Sequence, residues 1–149
     1  MAKWFETKVR FDKTMENGTV KKVTEHYLVD ALSFTEAEAR TNEEVTPFMS
    51  GDFDVSAVKK SNISEIFRDE TGDRWYKVKV AFITIDEKTA VEKRKASYIL
   101  VQASSFKGAY DNFIEGMKGT MADYEIAGIA ETAIMDVYNA KLESKSENG

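Results

Sequence analysis

The stretches YLVDALSFTEAEA, residues 27–39, and ILVQASSFKGAYD, residues 99–111, share the pattern L-V-x-A-x-S-F at an offset of 72. A chain that writes one apolar-to-polar transition twice is repeating a structural corner. In both copies an apolar run ends at a serine followed by an aromatic residue. In the first copy Glu36 stands three residues after Ser33, the capping-box spacing that opens a helix.

Working outward, KWFETKVRF (3–11) aligns with RWYKVKVAF (74–82), pairing Trp4 with Trp75, Lys8 with Lys79, Val9 with Val80 and Phe11 with Phe82 at an offset of 71. The same offset relates FDVSAVKKSNISEIF (53–67) to YEIAGIAETAIMDVY (124–138). Each copy reads strand, strand, helix, strand. Phe5, Thr7, Val9 and Phe11 alternate with Trp4, Glu6, Lys8 and Arg10, a period of two. Asn17-Gly18 predicts a two-residue hairpin turn with positive φ at both positions. Phe34, Ala37, Thr41, Val45 and Phe48 make one helical stripe, with Pro47 in the last turn. Phe106, Ala109, Tyr110, Phe113, Ile114 and Met117 make a second, cleaner one. The apolar parity of the final segments changes near Lys60 and near Glu131, which predicts a bulge or a bend into a short extra strand.

These elements predict an α+β fold of two tandem ββαβ repeats related by a pseudo-two-fold axis, with antiparallel sheets and one helix per repeat. The first repeat spans 1–68, a polar linker 69–74, the second repeat 75–140, and a solvated tail 141–149. A unit of about 65 residues is too small to cover both faces of its own sheet, so the two copies are expected to form one compact whole.

Composition narrows the function classes. The chain has 149 residues, 42% of them hydrophobic, and a net charge of −5. That is enough apolar material for a core, and the charge opposes indiscriminate adhesion to DNA or anionic lipid. Cysteine is missing from the sequence, so disulfides, thiolate metal sites and cysteine nucleophiles are excluded. No apolar run approaches membrane-spanning length. The expected location is therefore the cytoplasm of a bacterial host cell. The single histidine, His26, has no partner at metal-ligand spacing, and Ser33 and Ser105 read as helix caps rather than nucleophiles. GMKG (116–119) has the G-x-x-G letters of a nucleic-acid clamp but follows a helix and reads as its C-terminal stop. No enzymatic activity, metal or cofactor is expected.

The most informative surface is the strand face opposite Phe5, Val9, Tyr76 and Val80. It would carry Trp4, Lys8 and Arg10 from one copy with Trp75, Lys77 and Lys79 from the other, extended by Lys21, Lys22, Lys93, Arg94 and Lys95. Rings flanked by cations suit a nucleotide-like anion, whether a small nucleotide signal that the protein sequesters or single-stranded nucleic acid: the ring stacks and the cation meets phosphate. The alternative is a protein–protein interaction module or homo-oligomer, in which the tryptophans pack against protein. Leu28 and Leu100, expected on that same outer face, favour such coverage.

KWFETKVRFDKTMENGTVKKVTEHYLVDALSFTEAEAR (3–40) and MKGTMADYEIAGIAETAIMDVY (117–138) resemble a domain-of-unknown-function family of Bacteroidetes and their phages. The resemblance covers nearly the whole chain and carries no catalytic residue with it. It implies a cytosolic bacterial or phage accessory protein, acting in host–phage conflict or DNA metabolism. The KLESKSENG segment (141–149) departs from the family's pattern.

Overall fold

The computed structural model describes residues 3–139. Its architecture is mixed α+β, with two helices and two four-stranded sheets. The chain divides into two compact units, Met1–Ser61 with Ala133–Gly149 and Asn62–Thr132.

In the first unit, β1 (Lys3–Thr14) and β2 (Val20–Ala31) form a long antiparallel hairpin. α1 (Phe34–Val45) and a 3-10 turn (Thr46–Phe48) follow, and β3 (Phe53–Lys60) returns antiparallel to β1. The sheet order is β3-β1-β2-β8, where β8 (Ile134–Tyr138) comes from the far end of the chain and lies parallel to β2. In the second unit, β5 (Arg74–Ile85) and β6 (Glu92–Ala103) form the hairpin, α2 (Phe106–Gly116) crosses it, and β7 (Asp123–Glu131) returns to β5. Its fourth strand is β4 (Ile63–Phe67), parallel to β6, in the order β4-β6-β5-β7.

Two expectations change here. The parity breaks at Lys60 and Glu131 do end one strand and begin another, but the new strand leaves its sheet. β4, read as the end of the first repeat, pairs in the second unit, and β8 pairs in the first. The sheets are therefore mixed rather than antiparallel. Each departure is pinned by a tryptophan carbonyl: Ser61 N–H donates to Trp4 O at 2.9 Å, and Thr132 N–H to Trp75 O at 2.9 Å. The second change is at Leu28 and Leu100, expected on an exposed face; both are 0% exposed. Tyr27-Leu28-Val29 and Ile99-Leu100-Val101 are consecutive buried triplets, the mark of strands buried on both faces.

Both helices start as the serines predict. Ser33 Oγ accepts from Glu36 N–H at 3.1 Å, and Ser105 Oγ accepts from Gly108 N–H at 3.0 Å. α1 buries Ala37, Thr41 and Val45, while α2 buries Ala109 and Phe113, with Met117 just past its end. The stripes predicted from sequence are wider than the buried faces, for Phe34, Phe48, Phe106, Tyr110 and Ile114 remain exposed. The first hairpin is not a two-residue turn. Gly18 alone has positive φ, and Met15 N–H donates to Thr19 O at 2.7 Å across a wider loop. Asn17 instead uses its side chain, accepting from Thr19 N–H at 3.1 Å. Residues 69–74 fold onto the second unit: Gln102 accepts from Asp69 N–H at 3.0 Å and donates to Gly72 O at 3.1 Å. The expected tail, 141–149, lies outside the described residues.

Candidate functional site

The first unit contains a cleft of about 570 Å³, within the range of small-ligand sites. It follows from a mismatch of element lengths. β1, β2 and α1 have 12 residues each, but a strand advances about 3.3 Å per residue and a helix about 1.5 Å. The hairpin therefore outruns its helix. Pro47, which lacks an N–H, opens the 3-10 turn, and the chain then loops through Met49–Asp52 to β3. The uncovered end of the sheet becomes the floor of the cleft, that loop forms one wall, and β8 forms the other.

Floor and walls are aromatic and acidic. Phe11, Tyr27, Phe48 and Tyr138 supply rings, and Asp12, Glu25, Asp52 and Asp136 supply carboxylates; Lys13 is the one cation in the lining. Tyr27 and Tyr138 stack, with centroids 5.7 Å apart and planes 20° from parallel. Tyr27 O–H donates to Glu25 Oε1 at 2.8 Å. Burial raises the Tyr27 phenol well above its ordinary value, and the bond and charge of Glu25 raise it further. Burial, then the charges of Asp136, Glu44 and Glu25, pushes the Tyr138 phenol up to about 12. The rings are thus held neutral in a negative field. Phe48, 76% exposed, stands at the rim with Met135, Asp52 and Asp136. Asp12 lies 3.9 Å from Lys22 in an exposed pair.

The residues singled out from sequence fall in two groups, one per unit. Trp4 and Lys8 are half-buried and Arg10 is exposed, all on one face of β1. On β5, Trp75 is 2% exposed, Lys77 half-buried and Lys79 exposed. The Trp75 ring offers no open face, and the Arg68 guanidinium lies 5.9 Å from its centroid. Lys77 places its ammonium 4.7 Å from the Tyr98 ring. The flanking cations are largely engaged: Lys22 with Asp12, Lys93 with Asp86, and Arg94 with Glu92 and Glu125. His26 Nδ1 lies 2.9 Å from Glu6 Oε2. Among the described residues no cluster of His, Cys, Asp and Glu has the makings of a metal site.

Sequence reasoning missed the cleft because its parts are local to nothing. Residues 11–14, Glu25, Tyr27 and 48–52 come together through the β1–β2 hairpin and the loop before β3, and residues 135–138 reach them only because β8 pairs with β2. The one available signal was Phe48, an apolar residue placed beyond Pro47 where a helical stripe can no longer bury it.

Among the described residues no helix is long and apolar enough to cross a membrane. No curated protein matches the chain. The family model of the Domain of unknown function (DUF4494) matches residues 3–140, and the chain belongs to that family.

Proposed function

We propose that this chain is a non-enzymatic binding protein and that the cleft of the first unit receives its ligand. The observation that carries this reading is a concave site lined by stacked Tyr27 and Tyr138, with exposed Phe48 at its mouth. Rings fixed at a pocket wall present binding area at little entropic cost, the usual reason for their enrichment in recognition sites. Methionine methyl NMR tests it directly. Met49 and Met135 line the cleft, whereas Met121, 97% exposed, does not. A fragment set of mixed charge should shift the Met49 and Met135 methyls and leave Met121 in place. Shifts confined to other methyls, or none with any fragment, would remove the cleft as a binding site.

A second reading keeps the nucleotide-like anion on the outer strand face of each unit, at Lys8 and Arg10 on β1 and at Lys77 and Lys79 on β5. What favours it is that Lys8, Arg10 and Lys79 have no carboxylate within ion-pair distance among the described residues. Changing Lys8 and Lys79 to glutamate should then abolish salt-dependent binding of a labelled single-stranded oligonucleotide. Retained binding in that variant would sink this reading.

The architecture is proposed to descend from tandem ββαβ repeats with a pseudo-two-fold axis, their last strands exchanged. Its support is internal agreement of register: bulges fall between Lys8 and Val9 and between Lys79 and Val80, and the fourth strands join at His26–Ile134 and Ile63–Tyr98. A crystal structure in which Val9 and Val80 fail to superpose would overturn it.

A further inference from the structure

We infer that the cleft selects a cation, specifically an arginine or lysine side chain presented by a basic polypeptide segment. This rests on the reading of the cleft as a binding site and adds the chemistry of its occupant. The carboxylates alone would not make that case, since acidic surface is common on a chain of net charge −5. They stand instead around a concavity whose walls are neutral rings, and ring faces attract cations. A guanidinium plane can lie on Tyr138 or Phe48 while Asp52 or Asp136 accepts its N–H groups, the combination in which a planar cation is held best. A phosphate brought to the same place meets Asp12, Glu25, Asp52 and Asp136 against Lys13 alone.

The shape of the site favours a polypeptide over a free amine. A second depression of about 310 Å³ shares Phe11, Asp12 and Asp52 with the cleft and runs on past Phe53 and Asp54; Arg10 and Lys22 also line it, so the acidic character is concentrated in the cleft and the basic residue belongs there. The two together make a trough longer than one side chain needs, with the aromatic, most acidic end inside the cleft. An extended segment lies along such a trough and turns one basic residue inward, as peptide-binding grooves do.

The test uses the full chain and a fluorescein-labelled peptide of alternating glycine and arginine, compared with a peptide carrying citrulline, the neutral isostere, at each arginine. The arginine peptide should bind at least about tenfold more tightly than the citrulline peptide, as a desolvated ring–cation contact with a carboxylate partner requires. Asp52→Asn combined with Asp136→Asn should lose the same factor with the melting temperature unchanged, since both residues are exposed. Glu16→Gln combined with Glu87→Gln removes equal charge from exposed positions outside the cleft and should bind like the native chain. Equal binding of the two peptides overturns the cation while leaving the cleft a binding site. An equal loss in both double variants reduces the effect to net charge and overturns the site. If the peptide fails to bind but N-acetyl-arginine methylamide shifts the Met49 and Met135 methyls, the occupant is a small organic cation and the polypeptide is overturned. Shifts of those methyls by adenosine monophosphate and not by the arginine probe overturn the charge preference altogether.

Discussion

The hydroxyls of Thr7 on β1 and Thr41 on α1 meet at 3.0 Å in the core of the first unit, both fully buried. Thr41 Oγ also lies 2.9 Å from the Ala37 carbonyl, so the pair forms a closed polar chain against the helix backbone. At the corresponding places in the second unit stand Val78 and Phe113, both fully buried and apolar. Thr41→Val alone should destabilise by about 1–3 kcal/mol, because it takes a partner from a buried hydroxyl. Thr7→Val with Thr41→Val should recover much of that loss. A double-mutant cycle in denaturant measures the coupling, and additive single effects would show that the bond contributes nothing.

Two glycines report on packing that belongs to the second unit. A Cβ on Gly72 would fall 2.5 Å from the Ala103 backbone, and one on Gly116 would fall 2.5 Å from the Phe67 ring on β4. Neither neighbour yields easily: Ala103 is fixed in β6, and Phe67 packs on Phe113 with centroids 6.2 Å apart. Gly72→Ala and Gly116→Ala should each destabilise by roughly 1–3 kcal/mol, as overpacking does. Gly128→Ala, which meets nothing within 4 Å, should be tolerated. A neutral Gly116→Ala would argue that β4 does not lie against α2.

Leu28 and Leu100 separate coverage from exposure. Because both are fully buried, Leu28→Ala and Leu100→Ala should each destabilise by about 2–5 kcal/mol. Solvent-facing leucines would leave the melting temperature nearly unchanged, and a calorimetric scan distinguishes the two outcomes.

These leucines also show where the sequence stops being legible. Alternation in Phe5, Thr7 and Val9 identifies a strand with one core face, and Ser33 and Ser105 locate helix starts, because such signals are local. What covers the opposite face is not local. The pattern around Leu28 and Leu100 is the same for an exposed leucine and for one buried on a second side. The destinations of β4 and β8 are likewise unwritten: Ser61-Asn62 and Thr132-Ala133 say that a strand ends, not which sheet the next five residues join. Trp75 carried an open-platform reading because it alternates with Tyr76, yet both side chains are buried on their respective faces. The cleft inherits the same difficulty, since its Tyr138 wall arrives with β8.

Tyr138 offers the last prediction, on pH. Its phenol is pushed up to about 12 from an ordinary 10.0, first by burial and then by the charges of Asp136, Glu44 and Glu25. A group whose folded value is raised contributes stability that is complete below the unfolded value and is lost as pH rises through the folded one. The native chain should therefore lose stability progressively between the unfolded value of 10.0 and the folded value of about 12. Tyr138→Phe, which cannot ionise, should lose less over that interval, and its near-ultraviolet titration should lack one late phenolate. Asp136→Asn should bring the Tyr138 transition to lower pH without abolishing it, because burial, the larger cause, remains. If Asp136→Asn leaves the transition in place, the carboxylate does not act on the ring, and the negative field that makes this cleft suit a cation is weaker than the geometry requires.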